Sequence, residues 1–218
     1  MVRYESSPGR RTRNSITRDE IVRVARETAE NGGMGAVTVR AVAAAMDASP
    51  MSLYNHFPTK ESLIDAVLDD VIRQLETRDD TARPWDAAMI AYGLSLADHL
   101  AAHGWAVLPL ISRPDPGEHT TRIGEAVLAM GLRGGLDAER AVTAFTAILA
   151  LVYGRAAFLA AAGTRGAQTR AEVEAVIAGV DPLAYPATAS VVHELANYGS
   201  RRQLEIALTA LVAGLTTG

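Results

Sequence analysis

Apolar residues recur at helical spacing along nearly the whole chain, and runs that alternate every second residue are absent. Thr17-Arg18-Asp19-Glu20 has the form of a capping box, followed by Ile21, Val24, Ala25, Thr28 and Ala29 on one face. Asn31-Gly32-Gly33 ends that helix, because glycine tolerates the left-handed exit, so the first helix covers about 17–31. Thr38 caps a short second helix with Val39, Val42, Ala43 and Met46 inward. Asp47-Ala48-Ser49 is a tight break, since Asp can visit left-handed space. Ser49 caps a third helix with Pro50 in its first position, running to about Asn55. Thr59 caps a fourth helix from Lys60 to about Arg78, with Leu63, Ile64, Val67, Leu68, Val71, Ile72 and Leu75 as its stripe.

The helical period continues to the end. Pro84 opens a helix that closes near His103-Gly104, and Trp105–Ser112 is a short apolar one. Arg113-Pro114-Asp115-Pro116-Gly117 reads as a loop. Helices follow at about 118–133, from Asp137 to about Ala162, at Thr169–Ala178, from Pro186 to about Asn197, and at about 201–214 behind a Ser200 cap. The 40 alanines agree with an all-α fold.

Cysteine is absent, which excludes disulfides and thiol chemistry and suits a cytoplasmic location. The longest runs without Asp, Glu, Lys or Arg, Ala141–Gly154 and His99–Ser112, are 14 residues each, too short for a membrane span, and no apolar leader is visible. No membrane association is therefore expected. Net charge is −4, yet residues 1–60 hold 9 basic against 6 acidic side chains, with five arginines in the first 18 positions. A basic head on an acidic body fits a nucleic-acid module joined to another domain, or merely a solvated tail. Residues 1–16 read as a flexible basic arm, 17–62 as a helix-turn-helix domain and 63–218 as a second helical domain.

Three short helices with a tight turn between the last two are the layout of a helix-turn-helix, whose final helix enters the major groove. Its content suits that role. Met51 and Ser52 offer an apolar and a hydroxyl contact, while Tyr54, Asn55 and His56 can reach phosphate or base edges. Leu53 and Phe57 face inward as anchors. Lys60 stands at a helix start, where ammonium and free N–H groups both favour phosphate.

Thr38-Val39-Arg40 and the run Ser49-Pro50-Met51-Ser52-Leu53-Tyr54-Asn55-His56-Phe57-Pro58-Thr59-Lys60-Glu61-Ser62-Leu63 resemble the N-terminal module of the tetracycline-repressor (TetR) family of transcriptional regulators. Leu100-Ala101-Ala102-His103-Gly104, Ser112-Arg113-Pro114 and the helix opened by Asp137 are similar to the C-terminal domain of the tetracycline repressor. The resemblance implies an all-α homodimer on a palindromic operator, with a ligand pocket and dimer interface in the larger domain. Ligand binding would move the fourth helix and spread the recognition helices. Carried over residue by residue, the DNA contacts are Thr38, Arg40, Pro50, Met51, Ser52, Tyr54, Asn55, His56 and Lys60. Two positions depart from the pattern. Asp47 stands where the family usually has Gly at the turn. Pro109 occupies the place of the repressor's metal-binding histidine, and Ala160-Ala161-Ala162-Gly163 that of its metal-site glutamate. No metal or cofactor is expected.

The effector is expected to be small and hydrophobic or amphipathic, bound among the fifth to eighth helices. Tyr92, Ser95 and His99 share a stripe that either lines a pocket or packs between helices. Ser112 and Thr146 complete the candidate ligand set. His99 and His103 have an i, i+4 metal spacing without a third ligand nearby. Thr143, Thr146 and Tyr153 punctuate an apolar helix that faces ligand, a partner subunit, or both. Helices near 137–162 and 201–214 are the expected dimer surface, against an ordinary monomer core. Gly93-Leu94-Ser95-Leu96-Ala97 lacks the strand a nucleophile elbow needs, so no enzyme activity is expected. A regulator controlled by a protein partner is the nearest alternative, and an all-α enzyme a remote one.

Overall fold

The computed structural model describes residues 16–75, 81–113, 117–164 and 170–215. The described residues form helices and turns without strands. The 1–16 arm lies outside them but for Ile16, as do residues 76–78 of the expected fourth helix and the cap at Thr169, whereas Gln74 and Leu75 are described and already lie past the end of that helix.

The first four helices follow the capping signals. Thr17 accepts a hydrogen bond from the Glu20 N–H and opens α1 (Arg18–Gly32), which Gly33 closes at φ 74°. A 3-10 turn at Met34–Ala36, unmarked by any sequence pattern, leads to Thr38, which caps α2 (Val39–Ala45) through the Ala41 N–H. Asp47 adopts φ 51°, the left-handed turn. Ser49 caps α3 (Pro50–Tyr54). Thr59 and Ser62 cap α4 (Lys60–Arg73) reciprocally. Ile21, Ala25, Val42, Leu53, Phe57 and Leu63 close the core of this bundle.

The remaining helices are α5 (Trp85–Ala102), α6 (Gly104–Ser112), α7 (Glu118–Arg133), α8 (Ala138–Thr164), α9 (Arg170–Ala178), α10 (Pro186–Ser190), α11 (Val192–Ala196) and α12 (Arg201–Gly214). The single helix expected over 186–197 is two, because Val191 leaves helical geometry at φ −124°, ψ 24°. Met89, Leu96, Leu100, Val127, Ile148, Val152 and Leu208 form the second core, where α5 packs on α7, α8 and α12.

The two cores meet at α4. Its Ile64, Leu68 and Val71 pack with Ala106, Trp105 and Leu110 of α6, and Trp105 also touches the first bundle. His99 of α5 holds the Val71 carbonyl at 2.8 Å. α4 therefore belongs mechanically to both halves.

The Ala138–Ala161 part of α8 is long and apolar enough to cross a membrane by length and composition, more than its 14-residue charge-free run suggested. It packs on α5, α6, α7 and α12, with 22% of its most apolar window buried. Thr143, Thr146, Ala150, Gly154, Phe158 and Ala161 form an exposed stripe along it, and Ile206, Ala210 and Ala213 another along α12.

Candidate nucleic-acid interface and the cleft behind it

The N-terminus of α2, α3 and the first turn of α4 bring exposed groups together around a locked interior. Leu53 and Phe57 are each 1% exposed, whereas Met51 is 70% and Tyr54 46% exposed. At about 100° per residue Met51 stands nearly opposite Leu53, and Tyr54 falls at the edge between the exposed and buried sides. Thr38, Arg40, Pro50, Asn55 and Lys60 are exposed, while Ser52 and His56 are half-buried. The Ser52 hydroxyl lies 2.9 Å from that of Ser49, which also accepts from the Ser52 N–H. The nine residues thus lie on one short bundle, with Lys60 at a helix N-terminus whose dipole adds to its charge.

Arg18 was legible only as part of a basic N-terminus. Its guanidinium stacks over the Phe57 ring at 4.1 Å and donates to the His56 carbonyl at 3.0 Å. It therefore ties the start of α1 to the exit of α3 by cation–π and hydrogen bonding.

Behind this face, α4, α6, α7 and α8 enclose a cleft of about 390 Å³. Leu68, Ile72 and Leu110 supply apolar walls, and Ser62, Thr120 and Tyr153 hydroxyls. Asp65 pairs with Arg113 at its edge, and Asp69 with His119. Burial pushes the Tyr153 phenol above its ordinary pKa, so it stays a neutral donor.

The expected ligand set is not brought together, and none of its members lines this cleft. Tyr92 is buried in the second core, where burial, and then Tyr153, raise its phenol pKa. His99 is occupied by Val71. Burial first, and the adjacent His103 ring next, lower its pKa, against the opposing effect of that hydrogen bond. Ser95 is exposed, because the buried arc of α5 ends between it and Tyr92. Ser112 is exposed and donates to the Pro109 carbonyl, and exposed Thr146 donates to that of Val142, so both hydroxyls serve their own helices. Tyr153, expected on a helix facing ligand or a partner subunit, lines the cleft, and Arg113 was marked only as part of a loop and of the Ser112-Arg113-Pro114 resemblance; Asp65, Asp69 and His119 escaped sequence reasoning. The only signal was Asp65 and Asp69 one turn apart on α4.

Comparison with known proteins fits this arrangement. Residues 21–67 match the family described as bacterial regulatory proteins, tetR family, and residues 79–218 match the tetracyclin repressor-like C-terminal domain. An HTH-type transcriptional regulator of Saccharopolyspora erythraea is 28% identical over 66% of this chain and 61% of its own. The HTH-type transcriptional repressor DrrR1 of Streptomyces coeruleorubidus is 31% identical over 68% of this chain and 56% of its own. The matched region thus spans about three fifths of these relatives' lengths. Among solved structures, the Streptomyces coelicolor regulator SCO7222 superposes with TM-score 0.80 at 28% identity, over 92% of this chain and 98% of that one. ActR of the same organism, in complex with actinorhodin, gives TM-score 0.83 at 22% identity over 94% and 97%. With both of its helical regions matched, the chain belongs to the TetR family of bacterial regulatory proteins.

Proposed function

We propose that this chain is a ligand-responsive transcriptional regulator, a repressor that binds a palindromic operator as a homodimer and leaves it when a small hydrophobic or amphipathic effector binds. The carrying observation is the division of α3, with Leu53 and Phe57 locked inward and Met51, Tyr54 and Asn55 turned out beside Arg40 and Lys60. In this reading residues 17–62 form the DNA-binding domain and 63–218 the ligand-binding and dimerisation domain, in the cytoplasm.

Met51 offers an apolar surface to a thymine methyl, Ser52, Asn55 and His56 polar groups to base edges, and Thr38, Arg40, Tyr54 and Lys60 contacts to phosphate, with Pro50 against the backbone. A palindrome needs two such faces about 34–36 Å apart, hence two chains. The exposed stripes on α8 and α12 are rich in small and apolar residues, which lets helices approach closely across a two-fold axis. Together they form a four-helix pack that covers the apolar face of α8.

The 390 Å³ cleft lies within the ~300–1,000 Å³ typical of small-molecule sites. Its mixed walls suit an amphipathic ring system. Solved relatives include ActR with actinorhodin and a tetracycline-repressor variant of Acinetobacter baumannii with minocycline. An occupant wedged against Leu68 and Ile72 displaces α4, whose first turn belongs to the reading face and whose Leu63 and Val67 pack in the bundle that holds α3. The effector shifts DNA affinity only by its difference in affinity for the two positions. Anisotropy with operator DNA tests the reading face. Tyr54→Ala and Lys60→Ala weaken binding while the dimer stays folded, and unchanged affinity in both contradicts the assignment.

A further inference from the structure

α7 begins without a capping side chain of its own, although Glu118 stands in its first turn. Its N-cap is Gly117, which has no side chain to offer the orphan N–H groups of the first turn. The missing acceptor comes from α4, 50 residues earlier in sequence than His119. One Asp69 carboxylate oxygen accepts from the His119 backbone N–H at 3.1 Å, and the other meets His119 Nδ1 at 2.7 Å. The negative charge also sits at the positive end of the α7 dipole.

Gly117 makes this possible by its size. Its φ of −64° and ψ of 175° suit any residue, so backbone freedom does not call for glycine here. Space does. A Cβ at position 117 would overlap Asp69 Oδ1 and Cγ, and would lie 2.8 Å from the Asp69 Cβ. One turn earlier on α4, Asp65 pairs with Arg113 at the end of α6, and Arg113 also donates to the Glu61 carbonyl at 3.4 Å. α4 thus grips the polypeptide on both sides of positions 114–116. Asp65, Asp69, Arg113 and Gly117 all border the cleft, and α4 starts at Lys60 on the reading face.

We infer that Asp69 and Gly117 form a latch between α4 and α7 that holds α4 in register and thereby sets operator affinity from outside the reading face. The inference rests on the operator-binding reading above. A latched α4 presents Lys60 and α3 in a fixed position, whereas a free one must be ordered when DNA binds, which costs affinity. Asp69 and Gly117 are positioning residues. They act through α4.

The test needs no effector. Duplexes tiled across the DNA flanking the protein's own gene identify the operator, and anisotropy then measures the intact dimer. Gly117→Ala and Asp69→Ala each bind about tenfold more weakly, within the usual range of allosteric coupling. Asp69→Asn keeps an acceptor for the His119 N–H and stays near wild type. The effect of Gly117→Ala shrinks on the Asp69→Ala background, because much of the atom set it collides with is gone. The salt dependence of binding keeps its slope, since no phosphate contact is lost. Light scattering and melting report whether each variant is a folded dimer. If Gly117→Ala fails to fold, the contrast between Asp69→Ala and Asp69→Asn decides. Wild-type affinity in both alanine variants overturns the latch, as does a raised affinity or a reduced salt slope. A wild-type protein that binds no operator overturns the functional reading and the latch together. A wild type that binds, with indifferent variants, overturns the latch alone.

Discussion

The turn between α2 and α3 is the sharpest local test of how this sequence builds its reading face. Asp47 sits there at φ 51°, the one non-glycine residue with positive φ among those described. Left-handed geometry costs an L-residue roughly 1–2 kcal/mol, and Asp bears it better than most. Asp47→Gly removes that strain but gives the unfolded chain more freedom to lose, at about 0.4–1 kcal/mol. The two terms nearly cancel, leaving the variant within about 0.5 kcal/mol of wild type. Asp47→Ala keeps the strain and discards the tolerance of the Asp side chain, so it loses about 1 kcal/mol. Both variants delete the same exposed negative charge beside the reading face, so their difference isolates the backbone. In a chain of this size 1 kcal/mol moves the melting temperature by about 2–4 °C. Thermal denaturation followed by circular dichroism should therefore rank Gly near wild type and Ala several degrees lower. Operator affinity should be at least that of wild type for Asp47→Gly, because a carboxylate near phosphate is gone. If the two variants melt together, the turn does not carry left-handed strain and this account of it is wrong.

Other predictions follow from packing and charge. His99 donates to Val71 through Nε2 in its neutral form, and burial followed by the nearby His103 depresses its pKa. Its contribution is present above the ordinary histidine value of about 6.5 and is lost as pH falls through the lowered folded value, so melting temperature should drop on acidification. His99→Gln should flatten that profile, and an unaltered profile would contradict the role. Gly93→Ala puts a methyl 2.8 Å from Leu208 Cδ1 and 3.3 Å from Ile148 Cγ2 where α5, α8 and α12 meet. It should cost about 1–3 kcal/mol in chemical denaturation. Ala150→Arg on the exposed α8 stripe should yield monomers by light scattering and abolish operator binding, and a persistent dimer would move the interface elsewhere. A library of amphipathic aromatic compounds, used as probes, should contain members that compete with operator DNA in the wild type, and Leu68→Trp, which fills the cleft, should blunt that response.

Legibility followed range along the chain. Thr17, Thr38, Ser49, Thr59 and Ser200 each cap the helix their sequence marks, because a cap is a contact between residues three apart. Asp47 likewise declared its turn. The split at Val191 was not legible, since no glycine or proline punctuates 187–197. The cleft was illegible for a stronger reason. Asp65 meets a partner 48 residues away and Asp69 one 50 residues away, and periodicity carries no information at that distance. The stripe of Tyr92, Ser95 and His99 had the right spacing for a shared face. How wide an arc of α5 its neighbours bury is set by tertiary packing, and that arc stops short of Ser95.

The central claim is sequence-specific operator binding by a dimer. Fluorescence anisotropy with labelled duplexes from the DNA flanking the protein's own gene, at several salt concentrations and against scrambled competitor, tests it most directly. The account predicts tight, competitor-resistant binding of two chains to one palindrome, with an affinity that falls with salt yet keeps its preference for the operator. Weak binding that the scrambled duplex displaces equally well, and that vanishes as salt rises, would contradict it.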